Sequence, residues 1–441
     1  MYKNEEDKLE QWKKQIEERP ISEIRLEQAI KNGFERGRLG KSRKNKRIYK
    51  RSIWSVFVAA ILLITLVTSI RVSPVFANAI ASIPGLERFV EFIREDKGLE
   101  SAMNNEYYQE LNLTSEKEGV TLTLKGVIAD EEEMVLFYTL NGARKDEVFH
   151  LGLSDITDRK GNDVMRWGSA TPDPISFETG KELAVKINIG FKEGVNESEF
   201  ILKATAKSTE REIDFDIPFS LAKEKMPTTR YLVNETVSIE GQKVTIQQIE
   251  ISPLKVAISI RTNPNNTKII FGFEDLRLMD ENGEMWTSIN GITSSGTENE
   301  DEKIYYLESN YFENPEELTL MFNKLQAMDK DEAYILIDTE KEVILEQPAD
   351  QRYSIQDIKK GYLEFLLKSE EGYHTSPFNS FIDAEGKEVS FTSGSFSSNG
   401  DDTAVIGMDF PKGPFVNPVK LPLHGYPQWI EGNVKVKINI R

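Results

Sequence analysis

Cysteine is absent from the 441-residue sequence, and histidine is rare, with only His150, His374 and His424. Without thiols the chain has no disulfide, no cysteine-ligated zinc site and no thiol nucleophile. The nucleophile-elbow, phosphate-loop, dinucleotide-binding and HExxH zinc motifs are absent as well. We therefore expect no enzyme, no metal and no cofactor. Secreted eukaryotic proteins of this size normally contain disulfides, so the composition favours a bacterial surface protein.

Only one stretch is long, apolar and free of charge, the eighteen residues 53–70. A helix of that length rises about 27 Å, close to the roughly 30 Å hydrocarbon core of a bilayer. Seven cations form a collar directly before it: Lys41, Arg43, Lys44, Lys46, Arg47, Lys50 and Arg51. By the positive-inside rule, this asymmetry predicts one transmembrane helix over residues 52–71. We expect a single-pass protein of the cell membrane, with residues 1–51 cytoplasmic and the C-terminal domains extracytoplasmic.

A cleaved signal peptide is the alternative, because Ala77, Asn78 and Ala79 loosely match a cleavage site. Secretory signals start with a short basic region, whereas about 50 residues precede this apolar run. The sequence therefore favours an uncleaved anchor.

Negative charge is concentrated after the apolar run. Residues 1–51 contain 16 basic and 9 acidic side chains, a net charge of +7, whereas the remaining residues carry −25. The basic collar suits contact with anionic membrane lipid. The acidic remainder gives no reason to expect nucleic-acid binding.

The spacing of apolar residues predicts two short amphipathic helices in the cytoplasmic piece, separated by Pro20 and with Ser22 as a candidate N-cap. Helices this short bury too little surface to fold firmly alone. They either bind a partner protein through their apolar faces or form a tail on the membrane, and both interpretations stay open. The candidate partner-binding residues are Leu9, Trp12, Ile16, Ile24, Leu26, Ile30 and Phe34.

Helical periodicity continues briefly after the span. Leu86, Phe89, Val90 and Ile93 fall at helical spacing, which predicts a juxtamembrane amphipathic helix within residues 72–98 that begins after Pro84. Whether its apolar face packs on the first outer domain or on the membrane is open.

From about Leu111 the periodicity changes to two, as in residues 119–127, 183–189, 213–219 and 433–441. Alternating strands separated by Gly, Asn and Asp turns predict antiparallel β-sandwiches. The acidic runs 130–133 and 298–302 lack the pattern of a calcium loop and are interpreted as solvated turns.

An internal repeat appears at an offset of 122 residues. Residues 117–140 align without a gap on residues 239–262, and the turn DRKGND at Asp158 aligns on DENGEM at Asp280. A looser third turn, DAEGKE, begins at Asp383. We therefore predict three β domains, over residues 99–225, 226–347 and 348–441, of which the second repeats the first.

The juxtamembrane sequence carries a family resemblance, through Ser73, Pro74, Phe76, Ala77, Asn78, Ile83 and Pro84. Together with the hairpin of residues 119–140, it resembles bacterial membrane proteins with domain of unknown function 4179, which are regarded as anti-sigma-factor-like. The segment from Tyr231 onward resembles the immunoglobulin-like domain that often follows. The implied fold is mainly β, with tandem immunoglobulin-like antiparallel sandwiches outside a single transmembrane helix and a short helical cytoplasmic segment.

The resemblance also implies a function. The cytoplasmic helices would sequester an extracytoplasmic-function sigma factor, and the outer domains would sense an unknown extracellular ligand or the state of the envelope. The chain departs from many anti-sigma factors because it has no His/Cys zinc motif in its cytoplasmic part. The alternative is a surface-anchored structural or adhesive protein with no sigma partner.

Overall fold

The computed structural model describes residues 86–142, 147–152, 155–171, 175–178, 182–192, 195–222, 225–288, 293–296, 299, 301–359, 361–369, 373, 376–398 and 402–440. These residues are mainly β, in antiparallel sheets. Within these ranges no helix combines the length and apolarity that a membrane crossing requires. The predicted span, the basic collar, the candidate partner-binding residues and the juxtamembrane motif through Pro84 all lie outside the described residues.

A short helical segment opens the described chain. It comprises a 3₁₀ turn Glu87–Phe89, α1 Val90–Arg94 and α2 Lys97–Asn104. Leu86, Phe89 and Ile93 are buried, as the helical spacing predicts.

The first unit is a pair of sheets around one apolar core, with strand orders β1-β2-β3-β8-β6 and β10-β9-β4-β7 and with β5 on β9. Leu124 and Leu136 meet Phe200 and Phe215 in this core, because alternating residues of each strand face inward. Its strands are β1 Gln109–Lys117, β2 Val120–Ala129, β3 Glu133–Gly142, β4 Val148–Leu151, β5 Asp155–Asp158, β6 Met165–Thr171, β7 Ile175–Glu178, β8 Leu183–Phe191, β9 Glu199–Lys207 and β10 Glu212–Ser220.

The second unit has sheet orders β11-β12-β13-β18-β17 and β14-β19-β15-β16, with β29 on β19. Its strands are β11 Thr229–Ile239, β12 Gln242–Ile251, β13 Lys255–Thr262, β14 Lys268–Phe273, β15 Arg277–Asp280, β16 Met285–Trp286, β17 Thr293–Gly296, β18 Glu302–Glu308, β19 Leu318–Asp329 and, from the end of the chain, β29 Trp429–Ile438.

The third unit follows a 3₁₀ turn, Lys330–Glu332, and has sheet orders β21-β20-β28-β24-β25 and β22-β23-β27-β26. Its strands are β20 Tyr334–Asp338, β21 Val343–Glu346, β22 Tyr353–Lys359, β23 Tyr362–Lys368, β24 Ser380–Ile382, β25 Glu388–Ser390, β26 Ser393–Ser398, β27 Thr403–Asp409 and β28 Val419–Pro422. Phe365, Ile406 and Leu421 lie in its core.

The last strand, β29, belongs to the second unit and not to the third domain that the sequence predicted. We assigned residues 433–441 to the third domain, but β29 pairs with β19 along its length, from Leu318↔Ile438 to Gln326↔Trp429. Val434 and Val436 are buried in the core of the second unit. An alternating strand carries no mark of its partner, so only tertiary pairing decides which sheet it completes.

Register shifts in the first and second units are also separated by 122 residues, as the sequence repeat is. The β2–β3 ladder shifts register between Leu124 and Gly126, and the β12–β13 ladder shifts between Ile246 and Gln248. The turns that join β1 to β2 and β11 to β12 each place two successive residues at positive φ, with Gly119 at 78° and Gly241 at 81°. Such turns match the twist of two-residue hairpins.

The three Asp-Gly turns share one hydrogen-bond pattern. In each, Asp Oδ1 accepts from the backbone N–H groups two and four residues later, at 2.7–3.0 Å. The glycine three residues after each Asp has φ of 83–87°, a region that glycine adopts at little cost. The participating residues are Asp158 with Gly161, Asp280 with Gly283 and Asp383 with Gly386.

Candidate functional site at the junction of the helical segment and two β units

The apolar face of the helical segment is buried against the first unit. Phe89 and Ile93 have no exposed surface and share a cluster with Ile128 and Phe137 of the β2–β3 hairpin. The rings of Phe89 and Phe137 meet edge to face, with centroids 5.4 Å apart, an arrangement that adds to the area burial. Of the two positions that the sequence left open for this face, the structure therefore shows packing on the first β unit.

The first turn of α2 lies against the second unit. Asp96 is the N-cap, and its Oδ1 accepts from the Leu99 N–H at 3.0 Å. A Cβ atom on Gly98 would lie only 2.8 Å from the backbone nitrogen of Ser309. The absence of a side chain at Gly98 therefore permits this close approach.

Polar groups hold the rest of this contact. The Lys97 N–H donates to Glu308 Oε1 at 3.2 Å, and the Ser101 hydroxyl donates to Glu313 Oε1 at 2.9 Å. The Lys97 ammonium donates to the Met285 carbonyl oxygen at 2.8 Å and pairs with Glu284. One short helix is thus bound to two β units.

The acidic run at residues 130–133 forms the second part of the junction. Asp130 is fully buried, and its Oδ1 accepts from the backbone N–H groups of Glu132 and Glu133 at 2.8 and 2.9 Å. Its Oδ2 accepts from the Leu254 N–H of the second unit at 3.2 Å. Our interpretation of this run as a solvated turn is wrong for Asp130 and Glu133, because these two carboxyl groups connect the units.

A buried ion pair lies beside Asp130. Lys255 Nζ is 2.8 Å from Glu133 Oε2, and the two side chains are 11% and 9% exposed. The Lys255 ammonium also lies 5.0 Å from the centroid of the Tyr306 ring and 5.5 Å from that of Trp167. The two aromatic rings, one from each unit, therefore stabilise the protonated form of Lys255.

Burial and charge act in opposite directions on this pair. Burial raises the pKa of Glu133 above its ordinary value and outweighs the attraction of Lys255. Burial alone would lower the pKa of Lys255, but the charge of Glu133 and its hydrogen bond raise it. Breaking the pair would leave a buried charge without its partner.

The ion pair joins equivalent positions of the repeat. At an offset of 122, Glu133 aligns with Lys255 and Asp130 aligns with Ser252. Both turns close with the same backbone bond, from Asp130 N–H to the Glu133 carbonyl at 2.9 Å and from Ser252 N–H to the Lys255 carbonyl at 3.0 Å. The opposite charges at one aligned position are a sequence signal from which this contact could have been predicted.

A cleft of about 450 Å³ opens beside the ion pair, between the first and second units. Arg166 and Lys192 line it from the first unit, and Arg230, Glu250 and Tyr306 from the second. Arg230 Nε lies 2.9 Å from Glu250 Oε1. The lining is therefore mixed in charge and largely polar.

Acidic groups at the α2 contact have altered proton affinities. Burial raises the pKa of Asp96 from 3.8 to about 6, and it also raises the pKa of Glu308 and of Glu100. Burial lowers the pKa of Lys186, a β8 side chain whose charge acts on Asp96. In the part of the chain that the structure describes, no group of three or more His, Asp or Glu residues could hold a metal ion.

Two family models match parts of the chain. The model of domain of unknown function DUF4179 matches residues 48–142, and the family of unknown function DUF5643 matches residues 228–358. None of the curated proteins matches the chain. The crystal structure of a conserved domain protein from Bacillus anthracis is similar over 54% of this chain and 84% of that one, at 16% identity and a TM-score of 0.36. The resemblance noted in the sequence is thereby confirmed, since the chain carries DUF4179, with DUF5643 after it.

Proposed function

We propose that this protein is a single-pass membrane regulator of the anti-sigma type. Residues 1–51 bind an extracytoplasmic-function sigma factor in the cytoplasm, and one helix over residues 52–71 crosses the membrane. The three β units form tandem immunoglobulin-like sandwiches outside the cell and sense the envelope. The protein performs no catalysis and needs no cofactor.

One observation carries this proposal. The DUF4179 match begins in the basic collar and ends with β3, so it includes the predicted span, the helical segment and the first hairpins as one family unit. Phe89 and Ile93, which follow the predicted span, are buried against Ile128 and Phe137 of that hairpin. This packing supports the proposal, because a displacement of the first β unit would also move the helical segment that follows the predicted span.

Partner binding is tested on the full chain, tagged at its C terminus and isolated in detergent from membranes of its bacterial host. We expect a sigma factor to be retained by the natural chain and lost from the variant Trp12→Ala plus Phe34→Ala. The reason is that helical spacing places both aromatic residues on the apolar faces of the predicted cytoplasmic helices.

Tyr49→Ala is the control, because it removes an aromatic ring from the same cytoplasmic piece but lies in the basic collar, after both predicted helices. The control should retain the partner. If the natural chain retains no sigma factor, the regulator proposal is abandoned in favour of an anchored structural or adhesive protein.

A further inference from the structure

One edge strand of the third unit lacks the features that keep sheet edges from pairing. Edge strands present unpaired backbone N–H and C=O groups, and proteins protect them by shortness, charge, proline or a bulge. β26, with the sequence SGSFSS, is the last strand of its sheet, and among the described strands it pairs with β27 alone. Its six residues include neither a charge nor a proline, and they pair without a register shift from Ser393↔Asp409 to Ser398↔Ala404.

The other long edge strands in the described residues are protected. Each one of six or more residues contains at least one charged side chain, and each also has a proline or a register shift against its neighbour. These strands are β1, β6, β10, β11, β14, β22 and β29. The remaining described edge strands have at most four residues. β26 is therefore the exception in this part of the chain.

The edge of β26 is open to solvent. Five of its six residues are exposed, so no other described segment covers it. Phe396 is partly buried and packs against the core of the third unit. Because residues alternate between the two faces of a sheet, Ser395 and Ser397 lie on the outer face. The packing of Phe396 thus fixes how the strand is presented.

We propose that β26 is a self-association surface, on which the β26 of a second copy of this chain pairs in antiparallel direction. Such a pair is symmetric about a two-fold axis, so one surface serves both copies. Four strands from each copy would then form one continuous sheet. The inference goes beyond the proposed function and takes from it only the membrane anchor.

Charge favours a second copy as the occupant. The chain after the basic collar carries a net charge of −25, so two copies repel each other over most of their surface. A neutral strand opposite its own copy places no like charges face to face, whereas each of the other long edges would bring its charged side chains together. Serine and glycine side chains also form no pocket that would select a foreign peptide.

The size of the contact determines where it forms. One pair of six-residue strands is small beside the about 1,000 Å² that a stable interface between soluble proteins buries. Two copies anchored in one membrane have a much higher effective concentration than two dissolved copies. We therefore expect the pair to form on the membrane.

The test is crosslinking of the full chain in membranes of its bacterial host. Because the chain has no cysteine, Ser395→Cys and Ser397→Cys are separate variants that each carry one thiol. We expect a short bifunctional maleimide reagent to join two copies of either variant, since residues near the two-fold axis lie close to their own copies. The matched control is Ser354→Cys, an exposed serine on β22 at the opposite edge of the same sheet, which should give no dimer.

Charged variants locate the contact. Ser397→Lys, made in the Ser395→Cys chain, should lower the crosslinked fraction about fivefold, because two like charges then lie close to each other across the axis. Co-expression with a Ser395→Cys chain that carries Ser397→Asp should restore the crosslink, because opposite charges then meet. Ser354→Lys in the Ser395→Cys chain is the control and should leave the crosslinked fraction unchanged.

Three results overturn the proposal: no dimer from either β26 variant, an equal amount of dimer from Ser354→Cys, or a crosslink to a different protein. The measurement needs no cytoplasmic partner. Failure to find a sigma factor would thus overturn the proposed function and leave the β26 contact standing, and the reverse also holds.

Discussion

At the scale of single residues, aromatic rings lie over glycines on the faces of the sheets. Tyr108 covers Gly126, Trp167 covers Gly190 and Tyr362 covers Gly407, and in each case a Cβ atom on the glycine would overlap the ring. Such pairing of an aromatic ring with a strand glycine protects a weak point of the ladder. The Trp167 ring also borders Lys255, so its position matters to the junction.

We predict that Gly190→Ala destabilises the protein by about 1–3 kcal/mol, because the new methyl group must displace the Trp167 ring. Urea unfolding followed by far-ultraviolet circular dichroism measures the loss. The matched control is Gly272→Ala in β14, where a Cβ atom would meet nothing within 4 Å. Equal losses for the two variants would contradict this explanation.

The buried ion pair makes a second prediction at this scale. Glu133→Ala leaves the Lys255 ammonium buried without its carboxylate, and we expect a loss of about 3–5 kcal/mol. Replacing both residues with methionine should recover most of that loss, since it removes both charges and fills the space. Urea unfolding of Glu133→Met, Lys255→Met and the double methionine variant forms the cycle, and simple additivity would show that the pair has no coupling.

At the scale of elements, β29 is the strand whose position matters most. It completes the sheet of β14, β15 and β19 from the other end of the chain, with Val436 fully buried and Lys435 exposed beside it. The second unit therefore includes strands from both sides of the third unit, which lies between β19 and β29 in the sequence.

We predict that Val436→Asp destabilises the second unit by about 3 kcal/mol or more, because it buries an unpaired charge. Lys435→Asp on the same strand should change stability by no more than about 0.5 kcal/mol. Hydrogen exchange locates the effect: amides of β19 and β12 should lose protection in the first variant. Loss confined to the third unit would contradict the strand assignment.

At the scale of the whole molecule, the opposite charges of the two ends predict an orientation in the membrane. Because the natural chain lacks cysteine, a membrane-impermeant thiol reagent on intact cells should label Asn265→Cys. It should not label Ser22→Cys until the cells are opened. Labelling in the reverse order would show that the N terminus is outside.

Local pattern alone determined a large part of this protein. Helical spacing located the segment at Leu86, Phe89 and Ile93, alternation indicated the β strands, and the 122-residue offset located hairpins with matching register shifts. The juxtamembrane motif led to the family that the comparison confirms. The helical and strand patterns depend on spacings within one element, and the repeat and the family motif depend on similarity between segments, so each can be recognised from the sequence alone.

Only the tertiary structure decided which elements meet. It paired β29 with β19, buried Asp130 and Glu133 in an acidic run that looked solvated, and joined α2 to both β units through Asp96, Lys97 and Ser101. The composition of a charged turn indicates exposure to solvent. Glu133 is buried here because Lys255, 122 residues later in the sequence, supplies the opposite charge. Contacts of that range depend on how whole sheets pack, and no local spacing encodes them.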